Sequence, residues 1–275
     1  MTGGAASAGI DGSGTARARC LLAPNPSPMT LDGTNTWVIG EPDAETVVVI
    51  DPGPDDEAHA QRVAGHIAAQ DRRVGLILLT HGHRDHSGGA RRLAELTSAA
   101  VRALDPAHRL GGEGLTDRDV ITAGGCELRV VASPGHSADS LCFLLPADEA
   151  LLTGDTVLGR GTALIARDGN LGDYLASLDA LRALAAAAPV GVLMPGHGPL
   201  LHDPAATLDY YIAHRAERLA EVTAALEAGD RTVGQIVARV YSGVDPAVRL
   251  FAAWSVRAQL DYLASRGALP PGVTL

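Results

Sequence analysis

Lysine is absent from this 275-residue chain: all 22 basic residues are arginines, set against 32 acids for a net charge of −10. Beside the many alanines, that absence reflects GC-rich coding and not mechanism. The charge is placed unevenly, with 25 acids against 15 arginines in residues 1–203 and 7 of each in residues 204–275. No basic face stands out, which argues against a duplex-DNA binder and disfavours general RNA-backbone binding. Cysteine is scarce too. Cys20, Cys126 and Cys142 form no CxxC pair and leave one over, the usage of reduced thiols in a cytoplasmic protein, with Cys126 and Cys142 as core fillers in strands. No apolar run approaches the length that spans a membrane, and no secretion signal is visible. Residues 1–19, mostly Gly, Ala, Ser and Thr, read as a disordered leader. What remains is an ordinary globular composition, 46% apolar and 20% charged, long enough for one large domain and a smaller companion.

The chain is organised around residues 80–89, THGHRDHSGG, where His81, His83, Asp85 and His86 fall within six positions. One histidine near a strand is more often a hydrogen-bonded structural residue than a ligand. Four ligand-type side chains so close together would repel or stay unsatisfied without a cation. They follow the apolar run Gly75-Leu76-Ile77-Leu78-Leu79, which predicts a buried strand, and precede a helical pattern over 90–96. The cluster therefore sits in a loop at a strand's carboxyl end, where αβ proteins place their chemistry.

The same arrangement recurs. Strand-like segments stop at Ser133-Pro134-Gly135-His136, at Leu152-Thr153-Gly154-Asp155 and at Met194-Pro195-Gly196-His197. Each alone reads equally well as a turn. Together with the first cluster they bring seven ligand-type residues to what would be one sheet edge. Val47-Val48-Val49-Ile50 is a further buried strand ending at Asp51, which either caps its turn or holds a ligand histidine in its tautomer. Asn35, before the strand-like Trp37-Val38-Ile39, either aims its amide at a substrate or stabilises a turn. A helix is expected over 57–70, and a hairpin over 117–132 turning at Gly124-Gly125. His59, His66 and His108 lack ligand-type neighbours, so surface or cap positions are expected for them.

The order HxHxDH, then His136, Asp155 and His197, resembles the metal-ligand signature of the metallo-β-lactamase-fold hydrolases. Segments 30–39 (TLDGTNTWVI), 152–162 (LTGDTVLGRGT), 173–178 (DYLASL) and 211–215 (YIAHR) are similar to its lactamase-β-like protein 2 branch. The resemblance implies a four-layer αββα sandwich over residues 20–203 and a small helical, winged-helix-like domain over 204–275. It implies two divalent ions, zinc expected, with His81, His83 and His136 on one, Asp85, His86 and His197 on the other, and Asp155 bridging. A metal-bridging hydroxide would then be the nucleophile, with Asp85 relaying a proton to the leaving group. Animal members of the branch cut single-stranded RNA and related fungal enzymes release thioesters, so the expected substrate is single-stranded RNA or a small-molecule thioester. His214 and Arg215 are candidate substrate contacts from the C-terminal part, with helix packing the competing role, and Arg160 and Arg167 are candidates to line a short cleft. A bridging Asp155 without a secretion signal argues against a true β-lactamase. A neutral C-terminal part does not resemble the basic, tyrosine-rich glutathione cleft of glyoxalase II. A non-catalytic scaffold would normally have lost a ligand, and a winged-helix DNA regulator would need exposed arginines without compensating acids.

Overall fold

The computed structural model describes residues 9–165, 167–243 and 249–274. Two five-stranded sheets form its centre. The first runs in the order β1 (Ala18–Leu22), β2 (Asn35–Ile39), β3 (Thr46–Ile50), β4 (Arg73–Leu78) and β5 (Ala100–Arg102). The second contains β6 (Val120–Ala123), β7 (Cys126–Ala132), β8 (Leu141–Leu145), β9 (Ala150–Gly154) and β10 (Val192–Pro195), each beside the next. Helices α1 (Glu57–Ala68), α2 (Arg84–Ser87) and α3 (Ala90–Thr97) belong to the first half; α4 (Leu171–Ala187) and α5 (Pro204–Glu227) belong to the second. Helices α6 (Val233–Val240) and α7 (Arg249–Ser265) follow.

The uninterrupted aliphatic runs are explained by burial on both faces. In β3, Val48 and Ile50 point between the sheets, where they meet Phe143, Leu152 and Met194. Val47 and Val49 point outward onto Val63 and Ile67 of α1 and Leu93 of α3. The second sheet does the same, with Leu144, Leu151 and Leu193 covered by Tyr174 and Leu178 of α4 and Leu208 and Tyr211 of α5. Each large aliphatic side chain so enclosed contributes roughly 1.5–3 kcal/mol. The result is the expected αββα layering. The β6–β7 hairpin turns at Gly124 and Gly125, whose φ values of 60° and 73° are those a two-residue hairpin loop requires.

Parallel pairing of β3 and β4, with Ile50 opposite Leu78, makes both strands stop at one edge, so Asp51 and the loop after Leu79 emerge together. The sheets are tied at that edge. Leu141 N donates to Thr80 O (2.7 Å), and Asn35 N donates to Gly196 O (2.7 Å).

Residues 1–8 of the expected leader lie outside the described residues, but residues 9–19 are built into the fold. Ile10 is buried in the inter-sheet core, Gly12 N donates to Cys20 O (2.8 Å), and Arg17 pairs with Glu41 and Asp148. One buried apolar side chain, backbone hydrogen bonds and the Arg17 ion pairs together anchor the segment. The expected division at residue 203 falls at the start of a helix that contributes to two cores. Helix α5 starts at Pro204, capped by Asp203, and its first half packs on the second sheet through Leu208 and Tyr211. Its second half, with Val222 and Leu226, packs with Ile236 of α6 and Val256 and Leu260 of α7 in a separate small core. Among the described residues that C-terminal part is helical. Its only strand-like pairing is the single bridge between Thr232 and Thr274, so the two-stranded wing of a winged helix is not seen there. No described helix is long and apolar enough to cross a membrane, and all three cysteines are free and buried.

His59 corrects the expected surface or cap position. It is 2% exposed, its Nε2 lies 2.9 Å from Thr36 Oγ1, and its Nδ1 has no partner. Burial pushes its pKa down to about 4. Between pH 6.5 and 4 the unfolded chain therefore takes up a proton that folded His59 refuses, and stability falls as pH falls. In chelator, the stability of the native protein over a His59→Gln variant is expected to shrink by roughly 3 kcal/mol across that window. Denaturant titrations at pH 7.5 and pH 4.5 measure the difference; parallel pH dependences would contradict it.

Candidate metal centre

The seven ligand-type side chains converge. The loop after β4 presents His81, and the short helix α2 begins just after His83 and carries Asp85 and His86 inward. His136 comes from the turn between β7 and β8, Asp155 follows β9, and His197 follows β10. Three groups of these side chains hold their ligating atoms close enough for a metal ion: His81, His83 and His136; Asp85, His86 and His197; and His81, His86 and Asp155. In the first, His83 Nδ1 lies 3.0 Å from both His81 Nε2 and His136 Nε2. In the second, His197 Nε2 lies 3.2 Å from His86 Nε2 and 3.1 Å from Asp85 Oδ2.

Asp155 lies between them. Its Oδ1 is 3.4 Å from His86 Nε2, and its Oδ2 is 3.3 Å from His197 Nε2 and 3.7 Å from His136 Nε2. Close approach here depends on Gly196, because a Cβ at that position would come within 2.6 Å of Asp155 Oδ1.

Each imidazole uses its outer nitrogen on an oxygen. His81 Nδ1 meets Thr80 Oγ1 (2.9 Å), His83 Nε2 meets Asp168 Oδ2 (2.6 Å), and His86 Nδ1 meets Asp51 Oδ2 (2.8 Å). His136 Nδ1 donates to Leu164 O (2.8 Å) and His197 Nδ1 donates to Gly33 O (3.0 Å). An outer nitrogen that donates its proton leaves the inner nitrogen as a bare lone pair. The inner nitrogen of His83 thus faces those of His81 and His136 across 3.0 Å with nothing of their own to share. Asp155 Oδ1 is likewise buried without a hydrogen-bond partner. Facing lone pairs and an orphaned buried carboxylate oxygen are what a cation resolves, so the residues present fit divalent metal.

The electrostatics agree. Burial alone would lower the pKa of His86, but Asp155 and Asp51 raise it well above the ordinary value. Burial is likewise outweighed at His197, which Asp155 raises to about 9. Burial would raise Asp155, yet His197 and His86 hold it well below the usual carboxylate range; Asp85, bonded to His197, is held down to about 2. Burial and the neighbouring His86 keep His81 far below its ordinary value. The pocket as built demands positive charge.

Asp51 has the holding role among its two expected ones. It is 1% exposed with φ of 52°, a left-handed backbone that the fold over-determines: its carboxylate accepts from Thr80 N (2.8 Å), Thr80 Oγ1 (2.7 Å) and His86 Nδ1. Asn35 does not face a substrate. Its amide donates to Pro195 O (2.9 Å) and Gly198 O (2.8 Å), clamping both sides of His197. Arg215 is buried, donates through Nη2 to Ala163 O and lies 5.0 Å over the Tyr174 ring, so it supports the loop whose Leu164 carbonyl holds His136. His214 packs against Tyr210 on α5 and makes no hydrogen bond to the ligand set among the described residues. The contacts of Arg215 are those of the packing role, and His214 is half-buried beside Tyr210. Arg160 is engaged by Asp32 (2.6 Å).

Sequence reasoning gave no role to Thr80, Asp168, Gly33 or Leu164. Thr80 adjoins the cluster, and a hydroxyl there is a readable signal. Asp168 stands 85 residues from His83 in a loop, and the other two act through backbone carbonyls, which leave no mark on the sequence.

A family profile described as "Metallo-beta-lactamase superfamily" matches residues 29–197. The Aspergillus niger "Lactamase-like protein adaB" is 32% identical over 242 residues, 82% of this chain and 73% of that protein. The Caenorhabditis elegans "Beta-lactamase-like protein 2 homolog" is 30% identical over 257 residues, 90% of this chain and 84% of its own. In fold, a beta-lactamase domain protein from Burkholderia ambifaria superposes with a TM-score of 0.78 at 23% identity, covering 91% of this chain and 87% of that one.

Proposed function

This chain belongs to the metallo-β-lactamase superfamily, and from that premise we propose that it is a two-metal hydrolase of an anionic ester, first of all a single-stranded RNA phosphodiester. The observation that carries the two-metal reading is the Asp155 carboxylate, which reaches nitrogens of both three-residue sets while one of its oxygens has no hydrogen-bond partner. Bound there, divalent ions, zinc being the one a histidine–aspartate set suits, supply Lewis acidity to the scissile bond and make water acidic enough to attack near neutral pH.

The chain's own side chains do the rest. The five outer hydrogen bonds fix each imidazole in one tautomer and one orientation. Asp85, partly exposed and ionised at neutral pH, accepts the proton of the attacking water at Oδ2 and passes it to the leaving oxygen or sulfur. No serine or cysteine nucleophile is needed. Arg84, Arg167 and Arg257 are exposed and pair with no acid among the described residues, and this supports an anionic substrate in a chain of net charge −10. That same net charge favours a second reading, a small acyl thioester hydrolysed by the same residues.

The test is cleavage of a labelled single-stranded oligoribonucleotide and of an acyl thioester by zinc-loaded protein, with and without chelator. RNA cleavage that the chelator abolishes is expected. Thioester cleavage alone would replace the first substrate with the second, and cleavage of neither would overturn the hydrolase reading.

A further inference from the structure

The segment that brings Asp168 to His83 continues into a cavity of about 210 Å³ outside the ligand set. Arg167 and Leu171 line one side and Trp254, Arg257 and Asp261 of α7 line the other. The cavity is anchored to the metal centre. Arg167 directly precedes Asp168, whose carboxylate holds His83, and Asn170 N donates to Gly135 O (2.9 Å), one residue before the ligand His136.

Its lining joins two arginines to an aromatic ring. Among the described residues ten arginines, among them Arg17, Arg92, Arg160 and Arg239, are engaged in ion pairs, while Arg167 and Arg257 are exposed and pair with no acid. Two free guanidinium groups converging on one cavity, in a chain of net charge −10, call for an anion. Trp254 adds a flat face. It is one of only two tryptophans; the other, Trp37, is buried between the sheets with its Nε1 donating to Pro195 O (3.2 Å). The volume is below the roughly 300–1,000 Å³ of a complete small-molecule site, so it suits one unit of a longer substrate.

We propose that this cavity is a substrate subsite for one nucleotide, with its phosphate between Arg167 and Arg257 and its base stacked on Trp254, beside the His81–His83–His136 set. Asp261, the acid of the lining, suits a ribose hydroxyl. The subsite rests on the phosphodiester reading above and specifies which residues seat the strand next to the cleaved bond.

Adenosine 5′-monophosphate is the probe, and tryptophan fluorescence is the readout, since Trp37 is enclosed and Trp254 lines the cavity. Saturable quenching is expected in the native protein. Arg257→Ala, at an exposed helix position, should weaken it by roughly tenfold or more, the loss of a charge-assisted hydrogen bond, and adenosine without phosphate should bind as poorly. Asp155→Ala should bind the probe like the native protein, placing it away from the metals. With RNA as substrate, Arg257→Ala should raise KM more than it lowers kcat. No saturable binding at millimolar probe, or binding lost in Asp155→Ala and unchanged in Arg257→Ala, would overturn the subsite. Arg257-dependent probe binding without RNA cleavage would leave the subsite standing and remove the phosphodiesterase reading. RNA cleavage with Arg257→Ala unaltered in both assays would do the reverse.

Discussion

Asp155→Ala is expected to abolish hydrolysis and to lower the metal held after gel filtration from about two ions per chain to one or none. The loss should exceed the roughly 10–100-fold that removing a residue behind a ligand costs, because among the described residues Asp155 is the one carboxylate that approaches nitrogens of both sets. Asp155→Asn separates charge from shape. The amide keeps the side chain's volume beside Gly196 but removes the negative charge that draws His86 and His197 upward, so metal should be lost there too. Thermal melts in chelator keep folding apart from metal binding. Similar melting of the variants and the native protein, with metal and activity lost, is the expected pattern. Full metal stoichiometry in Asp155→Ala would remove Asp155 from the shared position.

The second large effect is at a residue behind the ligand-type side chains. Asp51→Ala is expected to weaken metal binding by about 10–100-fold and to lower stability by roughly 3–5 kcal/mol. Three donors lose their acceptor at once: Thr80 N, Thr80 Oγ1 and His86 Nδ1. The Thr80 hydroxyl donates to Asp51 and accepts from His81 Nδ1, so the same carboxylate steadies a histidine of each set. Asp51→Asn returns an acceptor to Thr80 N but turns an NH₂ toward groups that already donate. It should recover part of the stability and little of the metal affinity. Denaturant unfolding in chelator and competition with a chromogenic zinc chelator read the two effects separately. Equal recovery of both by asparagine would mean that Asp51 acts only as a turn cap.

The convergence of the seven ligand-type side chains was legible because they follow four strands that stop in glycine-containing segments, and strand ends at one sheet edge are neighbours whatever the intervening chain does. The aliphatic runs were legible for a related reason, since Val47-Val48-Val49-Ile50 can bury both faces only inside a layered sandwich. Partners across the fold were not. Nothing about Asp168, Gly33 or Leu164 announces that an imidazole will point at them, and Asn35 and Arg215 could be read as substrate groups because their backbone acceptors are set by tertiary structure alone. His59 is different. It lies four residues before Val63, and Val63 four before Ile67, on the buried face of α1, so helical periodicity placed it inward where residue type suggested the surface. The C-terminal division at 203/204 falls at the start of α5, one helix whose two halves serve two cores, and that sharing is set by tertiary packing alone.

Metal content by mass spectrometry on the purified protein, alone and after zinc reconstitution, tests the centre most directly. About two ions per chain are expected, falling in Asp155→Ala. A reconstituted protein that retains no ion, while folded, would contradict the assignment of these seven side chains to a two-metal site.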